Sequence, residues 1–277
     1  MIKRNLPLIL LFVLLAAWAV FLDKTADTIV FGFPREEYSL QKPFEEVSFP
    51  AADGEKITAL YSPAQRGKPT FLIFHGNKHN IYTFQSYLHP YLQDGYGVLV
   101  FDYRGYGKSG GKPSETNMYQ DAQSALNFLM EEKLISPQEI ILWGFSLGSS
   151  PALYLASRHA DWQFKGVILQ SPFTNTTDMA FFFLVRAERN KILGPILSLI
   201  LRPLLWDKTF DTTQFIGRVQ APLLIGGSNK DRIVPAFLTN ALAAKAPLNA
   251  FTFITDSGDH DDPFWFRPAV LSFLSKL

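Results

Sequence analysis

Short apolar runs alternate along the chain with longer stretches in which apolar residues recur at helical spacing. The apolar runs predict the strands Glu45–Pro50, Lys56–Tyr61, Thr70–Phe74, Val98–Asp102, Ile140–Trp143, Gly166–Leu169, Leu223–Gly226 and Phe251–Thr255. The helical spacing predicts the helices Ser114–Lys133, Ser149–His159, Pro235–Lys245 and Pro268–Leu274. Because continuous apolar strands separated by helices are buried on both faces, this alternation predicts an α/β fold, a mostly parallel sheet covered by helices. The chemistry of such sheets lies at the carboxyl ends of the strands.

Residues 174–220 interrupt this alternation between two predicted strands. The segment is much longer than one crossover helix requires. It carries apolar stretches at 180–185 and 196–201, and Pro195 and Pro203 divide it into short predicted helices. We expect this insertion to form a helical cap over the carboxyl ends of the strands. An ordinary helical insertion that packs on the sheet is the alternative.

The N-terminal residues have the pattern of a membrane or export segment. Residues 6–22 are apolar and uncharged, Lys3 and Arg4 precede them, and Asp23 ends the stretch. As a helix it is about 25 Å long, and snorkelling basic side chains extend it to the thickness of a bilayer. We therefore divide the chain into a signal-anchor, a connecting segment and a folded domain, at residues 1–22, 23–44 and 45–277.

The orientation and fate of this segment follow from its flanks. The positive flank predicts an N-terminus in the cytoplasm and a membrane-anchored domain outside it. The small residues of Ala17-Trp18-Ala19 support the alternative of signal cleavage, which would leave a secreted or periplasmic protein. A buried core helix is the third interpretation of the same stretch.

Composition excludes several classes of protein. The chain has 277 residues, of which 47% are hydrophobic and 18% charged, so it is globular rather than disordered. Its net charge of +1 offers no broad basic surface, and we expect no nucleic-acid partner. The absence of cysteine excludes a Cys nucleophile, a thiolate zinc site and disulfides. The 25 phenylalanines indicate extensive apolar contacts, including an apolar binding surface.

The sequence Gly144-Phe145-Ser146-Leu147-Gly148 matches the G-x-S-x-G nucleophile elbow. A predicted strand leads directly into it and a predicted helix leads directly out, which is the arrangement that the elbow requires. The helix start favours negative charge that develops next to the serine. Ser146 is therefore the candidate nucleophile, and a structural Gly-Ser turn is the alternative.

A serine hydroxyl needs a base, and the chain order of this architecture is serine, acid, histidine. Of the five histidines, His260 follows the last predicted strand in a polar loop and fits that order. Asp231 follows the strand before it and is the candidate acid that orients His260. Asp256 and Asp259 are the alternatives, although they share the loop of His260 and would need a sharp reversal to reach its ring.

The backbone N–H after the nucleophile and an N–H from the loop after an early strand form the oxyanion hole of such sites. Leu147 supplies the first N–H by position, and we assign the second to Asn77. His75 and His79 have a spacing that suits metal ligands, but no third ligand lies nearby in the sequence, so we expect no metal. We expect His75 to fix this loop by hydrogen bonds.

These motifs together resemble the α/β-hydrolase superfamily over about residues 45–277. The matching segments are Phe74-His75-Gly76-Asn77, Asp102-Tyr103-Arg104-Gly105-Tyr106-Gly107-Lys108-Ser109, Gly144–Gly148, Asp231 with Ile233-Val234-Pro235, and Gly258-Asp259-His260-Asp261. With the N-terminal anchor they resemble small membrane-attached hydrolases that are labelled serine-aminopeptidase-like or lysophospholipase-like, a group that includes protein depalmitoylases. The resemblance implies a Ser146, Asp231 and His260 triad that hydrolyses an acyl bond without a cofactor. Asp259 departs from the family, since relatives usually carry a small residue before the histidine.

We expect a serine hydrolase that cleaves an ester or thioester of a small-molecule or lipid-like substrate through an acyl-enzyme. The apolar cap and the predicted membrane location favour this activity. A serine peptidase is the first alternative, and Glu188 in the cap is the residue that would bind a substrate amine. A non-catalytic hydrolase fold that binds a partner through the cap is the second.

Overall fold

The computed structural model describes residues 21–32, 39–187, 196, 202–262 and 264–277. Most of the predicted anchor and part of the predicted cap therefore lie outside the described residues. In the part of the chain that the structure describes, no helix combines the length and the apolar character that crossing a membrane takes.

One sheet of eight strands organises the described residues. The strands are β1 (Glu45–Pro50), β2 (Lys56–Ser62), β3 (Thr70–Phe74), β4 (Gly97–Phe101), β5 (Ile140–Phe145), β6 (Gly166–Gln170), β7 (Leu223–Ser228) and β8 (Phe251–Thr255). Their order across the sheet is β1-β2-β4-β3-β5-β6-β7-β8. Strand β2 is antiparallel to β1 and to β4, and the other pairs are parallel. The predicted mostly parallel sheet is thus confirmed.

Helices cover both faces of this sheet. They are α1 (21–31), α2 (Ile81–Gln93), α3 (Glu115–Asn127), α4 (Ser149–Arg158), α5 (Thr176–Ala187), α6 (Ala236–Ala243) and α7 (Arg267–Leu274). One apolar core packs α1, α3, α4 and α6 against the sheet, and a second core packs α2 and α7 against the opposite face. Strand β3 shows the alternation that produces the two cores, since Leu72 enters the first while Phe71 and Ile73 enter the second.

The predicted elements differ from the structure mainly at their ends. The predicted helix Ser114–Lys133 begins after Ser114, which caps it, and its α-helical part ends at Asn127 before a π-helical turn, Phe128–Glu132. Helix α2 has no counterpart among the predicted elements. In the insertion, α5 is followed by the 3₁₀ turns Arg202–Leu205, Thr212–Gln214 and Ile216–Arg218, so its described part is helical as expected.

Candidate active site

Ser146 stands on a strained turn directly after β5. Its φ is 52°, in the left-handed region that a residue with a side chain rarely adopts. The turn Ser146–Gly148 leads immediately into α4. A Cβ at Gly148 would lie 2.0 Å from the carbonyl oxygen of Phe74, so only glycine fits there. The G-x-S-x-G segment therefore has the strand, turn and helix of a nucleophile elbow.

The structure brings Ser146, Asp231 and His260 into one chain of hydrogen bonds. His260 Nδ1 lies 2.7 Å from Asp231 Oδ2, and its Nε2 lies 3.1 Å from Ser146 Oγ. An ionised carboxylate can only accept, so Nδ1 donates to Asp231 and Nε2 is left to accept the serine proton. All three side chains are buried. This is the arrangement in which an imidazole activates a serine hydroxyl.

Asp231 is itself held by the start of the loop that follows it. Its Oδ1 accepts hydrogen bonds from the backbone N–H groups of Ile233 at 2.9 Å and Val234 at 2.7 Å. The other oxygen is therefore free to face His260, and the carboxylate has little freedom to rotate.

The two alternative acids make other contacts. Asp256 Oδ1 accepts from Asn229 Nδ2 at 2.8 Å. Asp259 accepts from Arg232 Nε at 2.8 Å and from the backbone N–H of His260 at 2.8 Å. The hydrogen bond from Arg232 lowers the pKa of Asp259 to about 2. Asp259, the departure from the family pattern, thus ties the loop of His260 to the loop of Asp231, a role that sequence reasoning missed.

Asn77 and Leu147 line the same cavity as Ser146, as a shared oxyanion hole requires. Hydrogen bonds of two buried side chains fix the loop of Asn77. His75 Nδ1 lies 2.8 Å from the carbonyl oxygen of Gly76, and Asp102 Oδ1 accepts from the N–H of Ile81 at 3.0 Å. Among the described residues, no group of three or more His, Cys, Asp or Glu side chains is arranged to hold a metal.

Aromatic rings pack behind the candidate base. The ring centroid of Phe145 lies 4.9 Å from that of His260, and the ring centroid of His79 lies 5.8 Å from that of Phe145. Burial is the main cause that lowers the pKa of His79 to about 4, so this ring is neutral at pH 7. Sequence reasoning missed this support because the ring contacts join separate elements.

The cavity beside Ser146 has a volume of about 380 Å³. Apart from the loop of Asn77, its lining is mostly apolar and includes Phe173, Met179 and Phe183. Met179 and Phe183 belong to α5, the first helix of the predicted cap. An apolar cavity at a polar reacting group suits a substrate with an apolar portion.

Comparison with known proteins identifies the family of the chain. A family model described as alpha/beta hydrolase fold matches residues 69–198. The alpha/beta hydrolase domain-containing protein WAV2 of Arabidopsis thaliana is 30% identical over 263 residues, covering 88% of this chain and 83% of WAV2. The chain belongs to the α/β-hydrolase family. The membrane protein YNL320W of Saccharomyces cerevisiae is also 30% identical, over 79% of this chain and 74% of that protein.

Two solved structures share the fold. The esterase Pf2001 of Pyrococcus furiosus superposes with a TM-score of 0.66 at 19% identity, covering 88% of this chain and 96% of the esterase. An α/β-hydrolase of Vibrio vulnificus superposes with a TM-score of 0.70 at 22% identity, covering 85% of this chain and 82% of that one. The family and the fold together support hydrolase activity.

Proposed function

We propose that this protein is a serine esterase that hydrolyses the ester or thioester of an apolar acyl group. The observation that carries the proposal is the hydrogen-bond chain from Ser146 through His260 to Asp231 at an apolar cavity. A nucleophile, a base and an acid that orients the base are the three side chains that a serine hydrolase uses for acyl transfer.

The reaction runs in two steps. His260 Nε2 accepts the proton of Ser146 as Oγ attacks the carbonyl carbon, and Asp231 stabilises the imidazolium. The N–H groups of Asn77 and Leu147 hold the oxyanion. The imidazolium then protonates the leaving alcohol or thiol. Water, deprotonated by His260, hydrolyses the acyl-enzyme in the same manner and releases the acid.

The cavity lining favours an acyl substrate over a peptide. A peptidase that removes N-terminal residues needs a carboxylate to bind the substrate amine, and the described lining residues include none. Glu188, the residue expected to serve that role, lies outside the described residues. The esterase Pf2001, which shares the fold, is consistent with ester chemistry on this scaffold.

A membrane location for the substrate has two supports. Residues 6–22 form the apolar stretch that predicts an anchor. The relative YNL320W is named as a membrane protein. We therefore propose a lipid-like substrate and a domain held at a membrane outside the cytoplasm. Fractionation of the tagged full-length protein tests this part, and recovery of a soluble protein shortened near Val20 would favour signal cleavage.

Labelling with a fluorophosphonate tests the serine mechanism. The wild type and Ser149→Ala should be labelled, and Ser146→Ala should not, since Ser149 begins the helix after the elbow and its hydroxyl donates to the carbonyl oxygen of Gly144. The same proteins are then assayed on p-nitrophenyl esters and on aminoacyl amides. An unlabelled wild type would favour the binding scaffold, and a clear preference for amides would favour the peptidase.

A further inference from the structure

Helix α1 is an integral part of the folded domain. Its residues Ala26, Val30 and Phe31 are buried in the same core as the sheet. The ring of Phe31 packs edge-on against Phe210, with 5.9 Å between ring centroids. This helix therefore keeps a fixed position relative to the sheet.

A buried cation holds the first turns of α1. Lys208 Nζ is 3% exposed and lies 3.0 Å from Asp23 Oδ1 and 3.3 Å from Asp27 Oδ1, both on α1. Burial opposes the charge, but hydrogen bonds to Asp207 and Asp23 raise the pKa of Lys208, so the ammonium stays charged. The ion pairs join α1 to the later part of the predicted cap.

The end of α1 contacts the loop assigned to the oxyanion hole. Asn77 Nδ2 donates to the carbonyl oxygen of Val30 at 3.0 Å and to that of Ile29 at 3.3 Å. These bonds satisfy carbonyls that a helix end leaves unpaired. Directly after the helix, Gly32 has a φ of 69°, and a Cβ there would lie 2.4 Å from the carbonyl oxygen of Asn77. The helix end and the loop of Asn77 are thus in direct contact.

The same end of α1 completes the cavity beside Ser146. Ile29 and Val30 line it from α1, while Met179, Ala180 and Phe183 line it from α5. We call these five residues the acyl wall. Val30 is 8% exposed and lies inside, whereas Ile29 is 71% exposed and lies at the mouth. An acyl chain bound to Ser146 would run between the two helices.

We propose that α1 is a specificity element of the active site, in which Ile29 and Val30 set the length of the acyl group. This inference rests on the proposed esterase function. The cavity that these residues bound has a volume of about 380 Å³, and its walls limit how far an acyl chain can extend from Ser146.

Chain-length profiles of α1 variants test this proposal. Wild type, Ile29→Trp, Val30→Ala and the control Thr28→Trp are assayed on p-nitrophenyl esters from acetyl to myristoyl. Thr28 is exposed on the same helix and does not line the cavity. The wild-type kcat/KM should reach a maximum within this series. Ile29→Trp should lower the ratio of activity on that best ester to activity on the acetyl ester by about tenfold or more, because each lost methylene contact costs on this scale.

The outcomes separate this inference from the proposed function. Val30→Ala should move the optimum to a longer chain, and Thr28→Trp should keep the wild-type profile. If the wild type hydrolyses esters but Ile29→Trp and Val30→Ala both keep its profile, α1 does not set specificity, while the esterase proposal stands. If the wild type neither reacts with a fluorophosphonate nor hydrolyses any ester, the proposed function itself is wrong.

Fluorophosphonate labelling of each variant shows that its site is folded. Because Ile29 is exposed and Val30 is buried, Ile29→Trp should disturb folding less than Val30→Ala.

Discussion

Ser146, Asp231 and His260, which we call the rim of the candidate site, stand on turns that follow parallel strands, whereas the acyl wall stands on helices outside the sheet. The backbone fixes the rim. Ser146 has a strained φ, and two backbone N–H groups donate to the carboxylate of Asp231. Side-chain packing and ion pairs fix the wall. One site thus combines a part fixed by backbone geometry with a part shaped by side chains.

This difference separates the two functions of the site. Chemistry needs distances that hold within a few tenths of an ångström, and turns between strands and helices supply them. Substrate choice needs a volume that can change without disturbing the reacting groups. Changes in the rim should therefore affect kcat or folding, and changes in the wall should affect preference among substrates.

The largest expected effect is that of Asp231→Asn in the rim. The amide would donate to Nδ1 of His260 and place the ring proton on Nε2, where it cannot accept from Ser146. We expect kcat for a p-nitrophenyl ester to fall by about 10⁴-fold, as such exchanges do in serine triads. Asp256→Asn is the matched control, because Asp256 binds Asn229 instead. A loss smaller than about tenfold would contradict the assigned role of Asp231.

The next largest effect is a loss of stability when Gly148, in the turn of Ser146, gains a side chain. In Gly148→Ala the new Cβ would lie 2.0 Å from the carbonyl oxygen of Phe74, a strand backbone atom that cannot move away. We expect the free energy of unfolding in urea to fall by about 3 kcal/mol. Gly217→Ala is the control, since the nearest atom to a Cβ there is 3.6 Å away. Equal unfolding midpoints for the two variants would show that the elbow has more room than its geometry indicates.

A smaller loss of stability is expected when the ion pairs between Lys208 and α1 are removed. Lys208→Met leaves Asp23, Asp27 and Asp207 without the cation they share. These carboxylates are partly exposed and can be hydrated, so we expect a loss of only about 1–2 kcal/mol in unfolding free energy. Lys24→Met, on the exposed side of α1, is the control. A loss that is the same for both variants would mean that the ion pairs do not hold the helix.

The elements of the sheet and the residues of the rim could be predicted from the sequence because both depend on local patterns. Apolar runs locate β3 and β5, and the glycines around Ser146 mark a turn that few other residues allow. Chain order then selects Asp231 and His260. Their catalytic roles stay predictions, whereas their convergence is observed.

The missed features depend on tertiary contacts or on ambiguous signals. Helix α2 has a capping Asn80 and apolar residues at helical spacing, but Pro90 in its last turn obscured it. The packing of α1 on the domain includes ion pairs with Lys208, which is far away in the sequence. No pattern within α1 distinguishes a helix that lines a cavity from a connecting segment.

The smallest effect expected is a pH dependence of stability that arises at His79, whose ring packs near Phe145. Burial lowers the pKa of His79 to about 4 from an ordinary value of 6.5, so the unfolded chain binds more protons between these values. The stability contributed by the neutral ring is therefore present above pH 6.5 and is lost as the pH falls towards 4. The ring is half-buried, and we expect His79→Phe to remove about 1 kcal/mol of the difference in unfolding free energy between pH 7 and pH 5. Tyr87→Phe, which changes a ring in contact with His79 without changing the protons bound in this range, should keep the wild-type difference. If His79→Phe also keeps it, the ring is more accessible to water than its packing against Phe145 indicates.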